Sequence, residues 1–198
     1  PLGATEALVL RAEVLTERYG VLTRGAVQAE DVPGGFAGVY RVLSAAEDAG
    51  RLRRGYFVEG LGAAQFASTG AIDRLRGARP QPATVLAAYD PANPYGAALA
   101  WPATEGTHRP ARKAGALVVL AEGEPLVYLE RGGRTALTWT TEPEALGASA
   151  TALAALVHTG RLASLTVDKV DGAAALGSPH PFVKALLASG FAMTPKGI

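Results

Sequence analysis

From Phe36 the apolar residues fall at Val39, Tyr40, Leu43 and Ala46. That is the repeat of one buried helical face, and the other face carries Gly38, Arg41, Ala45 and Asp48. Gly50 predicts the stop, because the residue after a helix often turns left-handed and favours glycine. Arg51 to Val58 then reads as a strand, Glu59-Gly60-Leu61-Gly62 as a turn, and Ala63 to Ala67 as the returning strand. Upstream, Leu8, Ala12, Leu15 and Tyr19 recur at helical spacing behind a capping Thr5, with Glu6 near the positive end and Gly20 closing. Thr23 predicts the cap of a shorter helix, Arg24 to Glu30, with Ala26 and Val27 inward, and Val32-Pro33-Gly34-Gly35 is a turn. Three helices and a hairpin in this order make a helix-turn-helix with a wing, its core closed by Phe57 and Phe66. Ser68 or Thr69 predicts the cap of a last short helix, Gly70 to Arg76.

The period changes after Gly77-Ala78-Arg79-Pro80-Gln81-Pro82, which places a domain boundary there: 1–78 winged helix, 79–198 a second domain. Val85 to Tyr89, Ala97 to Trp101, Gly115 to Ala121, Pro125 to Glu130 and Thr135 to Thr140 read as strands of an antiparallel meander. A turn-rich loop, Asp90 to Gly96, and a polar loop, Pro102 to Lys113, separate the first three. Thr141 and Glu144 form a capping box for a helix to about Thr159 that buries Leu146, Leu153, Leu156 and Val157. Ser164 to Val170 is a strand, Pro181 to Ser189 a short helix and Phe191 to Thr194 a final strand. The fold class is α+β: an N-terminal winged helix followed by a small antiparallel β-barrel-like domain with two helices.

Composition narrows the classes. Of 198 residues, 48% are hydrophobic and 19% charged, which suits a folded domain rather than a disordered one. No apolar run reaches membrane-spanning length, so no membrane partner is expected. Zero cysteines exclude disulfides, thiolate metal sites and cysteine nucleophiles. The chain opens Pro-Leu-Gly-Ala, without an initiator Met or a charged segment before an apolar one, and reads as an excerpt of a longer protein or a processed chain. A net charge of +1 says little in sum. Ala, Gly and Arg are abundant in the way a GC-rich genome produces, so only local clusters count: Arg51/Arg53/Arg54, Arg74/Arg76/Arg79 and Arg109/Arg112/Lys113.

The chemistry is sparse. There is no phosphate-binding Gly-x-x-x-x-Gly-Lys-Ser/Thr loop and no Gly-x-Ser-x-Gly elbow. His108, His158 and His180 lack metal spacing. Asp168 and Asp171 read as a solvated strand end, and Asp90 as an acceptor of turn N–H groups, ahead of any acid–base role. The stronger pattern points to nucleic acid. Arg51, Arg53 and Arg54 stand where a wing meets a sugar–phosphate backbone, and phosphate contact outweighs a merely solvated hairpin edge. Tyr56 suits stacking on an unpaired base or a place in the core. Arg24 and Arg41 extend the set along the helices, Gly38 leaves room for a backbone, and Arg109, Arg112 and Lys113 add to it in the second domain. Trp101 and Trp139 read as core.

These residues carry a resemblance. Arg54 to Ala67 resembles the wing segment of the bacterial large helicase-related (Lhr) proteins, and Glu17 to Arg24 their junction between the first two helices. Ala88-Tyr89-Asp90-Pro91-Ala92-Asn93-Pro94-Tyr95-Gly96 is similar to their entry into a β-barrel module. The resemblance implies the C-terminal part of a superfamily 2, ATP-dependent, 3′-to-5′ DNA repair helicase, cytoplasmic and nucleoid-associated. Its partners would be DNA, chiefly single strands or junctions, the remainder of the helicase chain, and possible copies of itself. ATP and Mg2+ belong to the motor, and no cofactor is expected within this stretch. Tyr89-Asp90-Pro91 followed by Arg112-Lys113 is also similar to the barrel entry of AlkZ-type DNA glycosylases. Their Gln-x-Asp or Gln-x-Gln signature is absent, since Gln28-Ala29-Glu30-Asp31 has other spacing. The alternatives are therefore a base-removing module without an assignable catalytic residue, and an assembly domain.

Overall fold

A computed structural model of the chain describes residues 3–62, 64–79, 81–104 and 107–198. It divides into two compact units: Pro1–Arg79 with Pro94–Ala100, and Pro80–Asn93 with Trp101–Ile198.

In the first unit, α1 (Ala4–Tyr19) is capped by Gly3 rather than Thr5, and the Gly3 N–H meets the Glu6 carboxylate at 3.4 Å. Gly20, at φ 68°, ends it. Two residues, Val21–Leu22, form β1, a strand too short for periodicity to reveal. The Thr23 side chain accepts from Ala26 N–H and starts α2 (Arg24–Ala29), while α3 spans Gly35–Asp48. Gly50 N–H returns to Glu47 O and Arg51 N–H to Ala46 O, a Schellman closure that needs the glycine φ of 73°. Then β2 (Leu52–Gly55) and β3 (Gln65–Ser68) pair antiparallel, with β1 on the other side of β3. Ala63, where the sequence predicts the return strand to begin, lies outside the described residues. Phe36, Val39, Leu43 and Ala46 of α3 pack with Leu15, Leu22, Val27 and Phe66. Phe57 is only half-buried and stays out of that core, its ring lying against Gly55. Ser68 caps α4 (Thr69–Arg76).

Ala97 to Trp101 is not a strand. Residues 94–100 form a turn, closed by Gly96 N–H on Leu99 O, and belong to the first unit. Gly25 admits them: a Cβ there would stand 2.9 Å from Ala98 Cα.

The second unit holds a six-stranded sheet in the order β4 (Thr84–Ala87), β5 (Leu117–Ala121), β6 (Glu124–Leu129), β7 (Thr135–Thr138), β8 (Lys169–Val170), β9 (Ala173–Ala174). The first four strands are the predicted meander less its second member, Ala97 to Trp101, so that β4 pairs directly with β5. The sheet is not wholly antiparallel, because β7 and β8 run parallel, joined through α5 (Pro143–His158). It does not close into a barrel: β4 and β9 remain its two edges among the described residues. Glu142, not Thr141, sits at the α5 N-cap, with Pro143 in the first turn. Ser164 to Thr166 is irregular, and Phe191 to Thr194 yields one bridge, Thr194 to Gly197. One sheet face packs Val119, Val127 and Leu129 against Leu146 and Leu153 of α5 and Phe182 and Leu186 of α6 (Pro181–Ala188). The other packs Tyr128 and Leu137 against Trp101 and Trp139, whose rings stack at 5.9 Å.

Candidate nucleic-acid interface

Strand alternation sorts the wing cations. Leu52 of β2 is buried, so Arg54 shares its face and Arg53 takes the other. Arg54 lies along α3: its Nε is 3.2 Å from the Glu47 carboxylate, its Nη1 donates to the Tyr40 hydroxyl at 2.7 Å, and its guanidinium stands 6.0 Å from the Phe66 ring. These contacts pin β2 to α3. Arg51 pairs with Glu13 of α1 at 3.2 Å, both side chains more than half exposed. Arg53 is exposed with no side-chain partner among the described residues, and so is Arg41 on the outer face of α3. Arg24, at the start of α2, lies 5.4 Å over the Phe36 ring.

Tyr56 settles between its two readings: at 80% exposure it is not core. What holds the backbone behind it is Gln65, itself 1% exposed. The Gln65 Oε1 accepts from Phe57 N–H and Val58 N–H at 2.9 and 2.8 Å, and its Nε2 donates to Val58 O and Gly62 O at 2.9 Å each. One amide thus stands in for ladder bonds where the hairpin opens into a loop. Periodicity does not single out Gln65; the signal it carries in the sequence is an amide at an inward strand position between apolar neighbours.

Behind the wing, Glu30 joins the end of α2 to α1. It accepts from Tyr19 at 2.7 Å and from Arg18 at 2.8 and 2.9 Å. The Tyr19 hydroxyl, and then Arg18, hold its carboxyl below the ordinary value against a smaller opposing effect of burial.

The predicted cations of the second unit divide differently. Arg112 is a clamp: it donates to Asn93 O at 2.7 Å, Tyr89 O at 2.9 Å and Asp90 O at 3.2 Å, fixing the loop after β4. Arg109 folds back on Thr104 and His108. Lys113 is exposed. The carboxylates are engaged. Asp90 accepts from Ala92 N–H at 2.8 Å, as its turn reading expects. Asp168 pairs with Arg134 at 2.6 Å, and Asp171 accepts from Thr138 N–H and Oγ1 and lies 3.2 Å from His180 Nε2. Among the described residues no group of three or more acids and histidines could hold a metal, and no helix is long and apolar enough to cross a membrane.

Comparison with known proteins bears on this arrangement. Residues 2–86 match the family model described as the winged-helix domain of the large helicase-related protein. A protein of Mycolicibacterium smegmatis named "Lhr helicase/ probable uracil glycosylase" is 52% identical over 201 residues, covering 95% of this chain and 13% of that protein. The Escherichia coli "Lhr helicase/uracil glycosylase" is 46% identical over 153 residues, 74% of this chain and 10% of that protein. The chain therefore spans about an eighth or less of these relatives' length.

Proposed function

The chain belongs to the large helicase-related family as a C-terminal region of such a helicase, and from that premise we propose that its winged helix is a DNA grip. The observation that carries the reading is the wing itself: Arg53 on β2, with no side-chain partner among the described residues, and an outward Tyr56 at the start of a loop whose backbone is held by a buried amide. A flat ring suits an unpaired base, and a guanidinium suits the adjacent phosphate, so single strands and strand junctions are the favoured substrate. Arg41 adds phosphate contact from the outer face of α3. Arg51 and Arg54, already paired, contribute mainly by bracing the wing. The parent protein would supply an ATP- and Mg2+-dependent 3′-to-5′ motor, with this region holding the strand during repair.

The test is binding of a labelled single strand to the Arg53→Ala/Tyr56→Ala chain across a salt series. Loss of one phosphate contact lowers the salt slope by about 0.7, and loss of one stacked base weakens binding by roughly 1–3 kcal/mol. Wild-type affinity and slope in this variant would remove the wing from the account.

A second reading rests on the relatives' names, both of which include uracil glycosylase. Base removal requires a pocket for an extruded base and an activated water. Incubating the chain with uracil-bearing DNA and scoring abasic sites tests whether this region carries any of that activity.

A further inference from the structure

Antiparallel pairing gathers the loop after β4, the loop before β5 and the turn between β6 and β7 at one end of the second unit's sheet. Ala87 pairs with Leu117, Leu117 with Leu129, and Leu129 with Ala136. The parallel strand β8 begins at the same end, since Lys169 pairs with Thr135. The loops touch: Ala88 N–H donates to Ala116 O, and the Arg131 side chain lies against Gly115. This end presents Lys113, Arg131, Arg134 and Lys169, all exposed. Two of its three acids are occupied. Asp168 is taken by Arg134, Asp90 by its own turn, and half-buried Glu130 faces His108 at 3.8 Å. Lys113 and Arg131 have no side-chain partner among the described residues. The far end is opposite in sign, with Glu122 and Glu124 in the β5–β6 turn and Glu142 and Glu144 after β7. A unit polarised this way turns one end towards a polyanion. At that end Tyr89 is 55% exposed, and its backbone carbonyl is held by Arg112.

We propose that this end of the sheet is a second nucleic-acid contact, in which Lys113 and Arg131 neutralise phosphates and Tyr89 stacks on an unpaired base. The inference rests on the reading of the chain as a DNA-holding module and extends it to residues outside the winged helix. Arg112 is then a positioning residue that presents Tyr89, not a phosphate ligand.

The experiment is fluorescence anisotropy of the 198-residue chain with a labelled oligothymidylate over a salt series. Lys113→Ala/Arg131→Ala lowers the salt slope by about 1.4, the value for two phosphate contacts on a single strand. Tyr89→Ala weakens binding roughly five-fold to a hundred-fold with the slope unchanged, and Tyr89→Phe retains wild-type affinity. Should the alanine pair fail to melt cooperatively, Lys113→Gln/Arg131→Gln carries the same charge change. The wing variant Arg53→Ala/Tyr56→Ala is titrated alongside. If the wing variant alone loses binding, this second contact is overturned while the wing stands. If the sheet-end variants alone lose it, the wing reading falls and the second contact holds. If all bind as wild type, both are wrong.

Discussion

At the scale of single residues, charge alone did not decide which cations are available. Arg53 and Arg54 are neighbours in sequence, yet period two sends Arg54 onto Glu47 and Tyr40 and leaves Arg53 open. Arg112 looked like its neighbour Lys113 but holds three loop carbonyls. Clusters were legible; which member is spoken for was not, because the partners lie 7 to 38 positions away. Glu30 gives a test at this scale. Its carboxyl titrates below the ordinary 4.5 when folded, so the stabilisation from Tyr19 and Arg18 is present above that value and is lost as pH falls through the folded one. Glu30→Gln should destabilise the chain near pH 7 by no more than about 1 kcal/mol, given its partial exposure, as read by thermal melting. The gap to wild type should narrow as pH falls below 4.5; a constant gap would assign the effect to packing.

Among elements, helices were the readable part. The α3 face and Gly50, the Thr23 cap and the length of α5 follow from spacing and end residues, which act locally. The elements that reading missed or misassigned are made by distant pairing. β1, which the pattern does not show, and β8, which it starts too early at Ser164, have two residues each and exist through β3 and β7. The apolar run at 97–101 looked like a strand, but alanine has poor strand propensity, and a turn over Gly25 took its place. Gly25→Ala tests that contact. Alanine is the better helix former, yet its Cβ would press on backbone that has no rotamer to move. The expected outcome is a net loss of about 1–3 kcal/mol by thermal melting; a gain would mean that the turn yields freely.

For the whole molecule, the chain passes between its two units three times, at 79/80, 93/94 and 100/101. A break in composition at 77–82 marks the first passage, whereas nothing in the sequence marks the return of 94–100. A fragment ending at residue 79 should therefore melt below one ending at residue 100, as followed by far-ultraviolet circular dichroism. Equal melting would show that the returning turn adds nothing to the winged helix. The parallel pairing of β7 with β8 has a consequence for the order of assembly. As the chain leaves the ribosome, β4 to β7 can pair one strand at a time, in chain order. The free side of β7 must then wait until α5 has coiled and residue 170 has emerged. Through that interval it offers an unsealed margin to any passing strand, and the nascent protein is most prone to stick to its neighbours while that margin is bare.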